Sequence, residues 1–149
     1  MKALGALALA VSLAACGYAT APAGGAGELA GSQDRVAQSS LRNGIAAAKV
    51  CFTGSETYTG CTDAALSAIE PSLTFNVSPS TVPKQVDSVV YQTNLAGDSW
   101  AAAAMSDSGT CWWINDVSTN PGAGTFYGST TTAANCTGDK AKAAAAAVW

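Results

Sequence analysis

Histidine is absent from all 149 residues of the chain. With it go the commonest general base, the commonest transition-metal ligand and every Ser-His-Asp or Cys-His catalytic unit. Gly-x-Ser-x-Gly and Ser-x-x-Lys strings are missing too, as is the Gly-Lys-Ser/Thr loop that cradles phosphates. No spacing among the 10 Asp and Glu residues singles out a pair for acid–base work. The expectation is a protein that is not an enzyme and carries no cofactor or metal. Charge of either sign is scarce, at 11% of residues, and the formal net charge is −3. The few Lys and Arg are scattered and form no stripe, which excludes nucleic acid as an expected partner. A long hydrophobic run is also missing: the apolar stretch after Lys2 ends by Cys16, too short to span a bilayer. Pro22 and Gly24-Gly25 interrupt any helical continuation of it.

That short stretch has the anatomy of a secretory signal: one basic residue, an apolar segment, then small residues before a cleavage point. Its end, Leu13-Ala14-Ala15-Cys16, resembles the lipobox of bacterial lipoproteins. The resemblance implies a diacylglyceryl group on the Cys16 thiol, cleavage before that residue, and Cys16 as the mature N-terminus. The protein would then sit on the cell membrane through its lipid, facing the extracytoplasmic side.

The cysteine count fits this division. Of the 5 cysteines, setting Cys16 aside leaves Cys51, Cys61, Cys111 and Cys136, an even number in an exported and oxidising setting. Pairing Cys51 with Cys61 and Cys111 with Cys136 is favoured, because turn residues lie inside each loop, and the crossed pairings stay open.

Residues 1–15 are thus read as a signal peptide, 16–31 as the lipidated end with a Gly/Ala/Pro tether, and 32–149 as one globular domain. From Ser32 the apolar residues Ala37, Leu41, Ile45, Ala48 and Phe52 recur at helical spacing, with Arg35, Arg42 and Lys49 elsewhere on the wheel. A disulfide-closed loop follows over 51–61. Thr62 or Asp63 is then expected to cap a short helix to about Ile69, stopped by Pro71. Residues 73–77 alternate apolar and polar and predict a strand. Further strands are expected near 86–93, 99–106, 110–115 and 125–127, with turn residues between them. One helix followed by antiparallel strands is an α+β pattern, the helix covering one sheet face. The tail AKAAAAAVW, with a single bulky anchor, is expected to fray.

The stretch DRVAQSSLRNGIAAAKVCFTGSETYTGC, together with SGTCWWINDV and the run to Cys136, resembles the globular part of actinobacterial type IV pilin-like proteins over about residues 34–138. The resemblance implies a pilin-like fold: the C-terminal half of a long helix laid on an antiparallel sheet of about four strands. A late disulfide would pin the last segment, and Cys111 and Cys136 match it. The N-terminus departs from the family. No Gly-Phe-Thr-Leu-Ile-Glu-like junction or long apolar helix is present, and no glutamate precedes Glu28. Assembly into a filament by the usual route is therefore not expected.

The resulting reading is an exported, lipid-anchored, non-catalytic structural or interaction protein. Its partners would be the membrane, through the lipid, and a protein of the cell envelope such as a pilus or secretion apparatus. The alternative is a lipoprotein that binds a glycan or peptide on the aromatic faces of Trp100, Trp112 and Trp113, helped by Phe126 and Tyr127. Adjacent strand residues point to opposite faces, so Trp112 and Trp113 are not expected to be exposed together. Asp107, Asn115, Asp116 and Asn120 offer oxygen ligands for calcium but lack the EF-hand spacing, and turn capping accounts for them equally well.

Overall fold

The computed structural model describes residues 25–149. The expectations for the signal segment, for Cys16 and for the tether up to residue 24 lie outside the described residues. Helix α1 spans Gly25–Ser55. It starts ahead of Ser32, so residues 25–31 are helical and not tether. Ala26, Leu29 and Ala30 favour the helix, and Glu28 in the first turn complements the positive end of the dipole. Further along, Ala37, Leu41, Ala47 and Ala48 are buried, Ile45 and Phe52 pack at the margin, and Arg35, Arg42 and Lys49 face solvent, as the wheel predicts.

After the 56–62 loop comes α2, Asp63–Ile69. Thr62 caps it, its hydroxyl accepting the Ala65 N–H at 3.3 Å, and the helix stops just before Pro71. The strands β1 (Asp87–Tyr91), β2 (Ser99–Met105), β3 (Cys111–Val117) and β4 (Gly124–Thr130) form one antiparallel meander in the order β1-β2-β3-β4. All four lie where turn chemistry and hydrophobicity put them, within a few residues. The fold is α+β: a long N-terminal helix and a four-stranded antiparallel sheet.

The strand expected at 73–77 is not formed. Leu73 and Phe75 are buried, so the alternation did report an inward-facing side. The segment has only one parallel bridge, Thr74 with Gln85, and no ladder, because the chain turns at once towards Pro79. Period two records which side chains are buried, and a strand also needs a neighbour along its length.

Both faces of the sheet are covered, against the expectation of one. Every residue of β2 is buried. Trp100, Ala102 and Ala104 meet α1 and join Leu41, Phe75 and Ile114 in the larger core. Ala101, Ala103 and Met105 point the other way, into a second cluster with Cys111, Cys136 and Ala141. The cover there is the segment after Cys136, whose short helix α3, Gly138–Ala141, is capped by Thr137. Gly138 lies so close to β1 that a Cβ would come within 2.9 Å of the main chain at Ser88 and Val89. The run Ala101–Ala104 makes sense in this light: small side chains on both faces let a helix approach from either side.

The tail does not fray. Ala146 exchanges two main-chain hydrogen bonds with Tyr127 at 2.8 and 3.1 Å, covering the outer edge of β4, and Trp149 returns to the α1 side of the sheet. Alanine content spoke for a weak anchor, but strand-edge pairing and one tryptophan supply the fixation that helix propensity cannot. Both favoured disulfides are present, Cys51–Cys61 and Cys111–Cys136. The first ties the end of α1 to the following loop, and the second ties β3 to the segment that leads into α3.

Candidate interaction surfaces

Trp100, Trp112 and Trp113 do not converge. Trp100 is fully buried at 0% exposure, under Gly44 of α1, and its indole N–H has no partner. Trp112 lies on the α1 face and donates its indole N–H to Asp34 at 3.2 Å. Trp113 lies on the α3 face and donates to the Asn135 carbonyl at 3.2 Å. Phe126, paired with Asn115, is on the Trp113 side, whereas Tyr127, paired with Ile114, is on the Trp112 side. Strand alternation thus puts Trp112 and Trp113 on opposite faces, both half-buried, and separates Phe126 from Tyr127 in the same way.

An aromatic group that sequence reasoning missed forms around Trp149. Its ring meets Tyr127 edge-on at 4.6 Å and Trp112 at 6.1 Å between centroids, and the Arg42 guanidinium lies 5.0 Å from its centre. Trp149 was the lone bulky residue of an alanine tail, and that was the only signal available. Asp34 anchors the margin of this group by accepting from Ser108 at 2.5 Å as well as from Trp112. Burial pushes the Asp34 carboxyl up, but hydrogen bonds from Ser108, Ser106 and Trp112 outweigh it and hold the group below its ordinary value.

The four oxygen-bearing residues weighed for calcium are dispersed as well. Asn115, on the α3 face, accepts from the Tyr91 hydroxyl at 2.6 Å and donates to the Lys142 carbonyl at 3.3 Å. Asp116, on the other face, accepts from Tyr58 at 2.6 Å and Thr125 at 2.5 Å and pairs with Lys49 at 3.1 Å. Burial, together with the Asp116 carboxylate, pushes the Tyr58 phenol well above its ordinary range. Asp107 is exposed in the β2–β3 turn, and Asn120 precedes Pro121 in the β3–β4 loop. The turn-capping role instead belongs to Asp98. Its carboxylate accepts the Thr93, Asn94 and Leu95 amides at 2.7 to 2.9 Å and the Thr119 hydroxyl at 2.6 Å. Burial works against these bonds, yet the carboxyl is held far below the usual carboxylate range.

Several hollows open on the surface, among them a basic groove and an acidic hollow. A groove of about 300 Å³ between α1 and the 72–84 segment carries Arg35 and Lys84 beside Val36, Ser39, Asn43 and Ser72. A hollow of about 530 Å³ at the start of β1 is lined by Asp63, Phe75, Asn76, Val77, Ser78, Asp87 and Ser88. Asp87 is 8% exposed, and its Oδ2 has no hydrogen-bond partner. Burial raises both carboxyl groups there, Asp87 and Asp63. Among the described residues, no three His, Cys, Asp or Glu side chains gather into a metal cluster, and no helix is long and apolar enough to cross a membrane. No protein-family profile, curated protein or solved structure matches this chain.

Proposed function

We propose that this protein is an extracytoplasmic, lipid-anchored interaction protein with no catalytic role, its helix-on-sheet domain being of the type IV pilin-like kind. The observation that carries the reading is the division of the cysteines. Cys51, Cys61, Cys111 and Cys136 close two disulfides within the domain, and the fifth, Cys16, is left to follow Leu13-Ala14-Ala15. Disulfides belong to an oxidising compartment, and a lone thiol there calls for a use. Lipidation is that use. The antiparallel meander, the helix packed on it and the disulfide before the last segment support the pilin-like part.

The pairing of catalytic groups that an enzyme needs has no support in the polar clusters. Asp98 and Asp116 are saturated by donors that hold loops and strands together. Ligand capture by Trp100, Trp112 and Trp113 draws no support either, since one indole is buried and the other two are on opposite faces. The function that fits is docking to a protein of the cell envelope, such as a pilus or secretion apparatus, from a lipid-held position.

Mild crosslinking of the membrane-anchored protein, followed by identification of its neighbours, tests the docking role. Envelope assembly components are the expected neighbours. Recovery of the chain in pilus fibres stripped of lipoproteins by detergent would contradict the non-filament reading. Iodide quenching tests the rejected alternative: Trp100 is expected to be inaccessible, and ready quenching of it would reopen glycan or peptide binding.

A further inference from the structure

The chain treats the two edges of its sheet differently. The tail seals β4, where Ala146 exchanges main-chain hydrogen bonds with Tyr127 at 2.8 and 3.1 Å. At the other edge Thr74 does the same, but only for the residues leading into β1: it accepts the Val86 N–H at 2.9 Å and donates its own to the Lys84 carbonyl at 3.0 Å. Lys84 and Val86 thus turn main-chain groups outward, and along a strand every second residue repeats that direction. The outward positions of β1 are then Ser88 and Val90, while Asp87, Val89 and Tyr91 turn to β2. Outside the β1–β2 ladder, Ser88 and Val90 make no main-chain hydrogen bond among the described residues. The sequence DSVVY holds no Pro or Lys, and its register with β2 runs without a bulge, so these common ways of blunting an edge are missing. A hollow of about 340 Å³ adjoins the open stretch, to which β1 contributes residues 88–90 and the preceding loop contributes Thr59, Thr62 and Asp63. Asp63 receives one long hydrogen bond, from Ser88 at 3.4 Å, and takes part in no ion pair among the described residues.

We propose that the open edge of β1 receives an extended segment of a partner protein as a fifth strand, with a Lys or Arg of that segment paired to Asp63. The inference rests on the docking role proposed above and gives that role its surface. The outward N–H and C=O groups of Ser88 and Val90 supply strand-addition hydrogen bonds that any backbone can meet, and side-chain contacts supply the selection. Ser88 lies opposite Ala102, which faces α1, so the partner residue level with Ser88 projects its side chain to that same face, towards Asp63. A basic side chain there meets a carboxylate that has no cation of its own. Charge argues against a second copy of this chain as the occupant: pairing β1 with β1 about a two-fold axis would bring each Asp63 towards its counterpart, with no Lys or Arg in either strand. The stretch ahead of α1, GYATAPAG over 17–24, is unsuited as well, since it has no basic residue and contains Pro22.

The test places a photoreactive phenylalanine analogue at single exposed positions of the full membrane-anchored chain: Gln92 just past β1, Ser129 on β4 and Ser39 on α1. Irradiation is expected to join Gln92 to a segment of another protein that contains Lys or Arg. Ser88→Pro removes an outward N–H that the β2 ladder does not use, and should abolish this adduct, whereas Ser88→Ala should keep it. Asp63→Asn should lower its yield about two- to fivefold, the worth of an exposed ion pair. The proposal is overturned by the absence of a Gln92 adduct, by an adduct to a second copy or to a segment without a basic residue, or by one indifferent to Ser88→Pro or Asp63→Asn. Adducts from Ser39 or Ser129 alone would leave the docking role standing without this edge, and none from any position would count against docking itself. Amide hydrogen exchange on the purified full chain needs no variant to fold. Ser88 and Val90 are expected to exchange freely there while Asp87, Val89 and Tyr91 are protected, and protection of Ser88 and Val90 without a partner overturns the proposal.

Discussion

Trp149 donates its indole N–H to the main-chain carbonyl of Trp113 at 3.0 Å. The bond reaches from the tail to the middle of β3, while Ala146 has already paired with Tyr127 on β4. The tail thereby closes one sheet edge and covers part of the α1 side. An exposed edge strand is a template for unwanted pairing, and here the same chain occupies it.

Trp149→Ala should therefore destabilise the domain by about 2 kcal/mol, less than a fully buried tryptophan costs because the ring is half exposed. Urea unfolding followed by far-UV circular dichroism measures this. A frayed tail would give a change close to zero.

Asp98 sets an acid limit on stability. Its carboxyl is depressed in the folded state from an ordinary value of 3.8, so the stability it contributes is fully present above that value and is lost as pH falls below it. Asp98→Asn should remove this acid-sensitive part and lower stability at neutral pH by roughly 2 to 3 kcal/mol, since main-chain amides at 93–95 lose a charged acceptor. Unfolding free energy measured from pH 2 to 7 for both proteins shows whether the acid slope flattens in the variant.

The two disulfides should differ in worth. They close loops of 10 and 25 residues, and loop entropy assigns about 2.7 and about 3.5 kcal/mol to them respectively. Removing Cys111–Cys136 also frees the segment that holds α3 against β1 and β2. Replacing each pair by alanine, in a purified domain, should lower the urea midpoint more for Cys111/Cys136 than for Cys51/Cys61.

Gly44 sits in the middle of α1, where glycine is unfavourable. A Cβ there would meet Trp100, Phe75 and Val86 at 3.5 to 3.8 Å, ordinary contact with no clash. Gly44→Ala should consequently stabilise the protein by about 0.5 to 1 kcal/mol. A loss of stability in thermal unfolding would mean that the helix cannot keep its present distance from the sheet.

Much of this architecture was legible in the chain. Ala37, Leu41 and Ala48 recur at the helical period, Thr62 precedes a short run stopped by Pro71, and Gly97-Asp98 and Asp107-Ser108-Gly109 punctuate the strands. These are local signals, and each depends on residues close in sequence. What could not be read depends on distant partners. Leu73 and Phe75 alternate like a strand but lack a neighbour to pair with. Residues 16–31 looked like a tether because Gly, Ala and Pro dominate with no sustained apolar period, although α1 already begins at Gly25. The alanines of β2 gave no alternation because both faces are buried, and the second cover comes from residues after Cys136. Of the candidate residues, the four domain cysteines pair as turn content suggested, and strand alternation separated Trp112 from Trp113. The Asp63–Asp87 hollow was invisible because its members are separated in sequence and meet only at a sheet edge.

The account stands most directly on Cys16. Fractionation of cells carrying the wild-type chain or Cys16→Ser, with intact mass measured on the membrane-derived protein, tests it in one experiment. The wild type is expected in the membrane fraction, starting at Cys16 and carrying the added mass of a diacylglyceryl group, and the variant is expected to leave that fraction. A variant that stays with the membrane, or a wild-type protein without lipid mass, would contradict the claim.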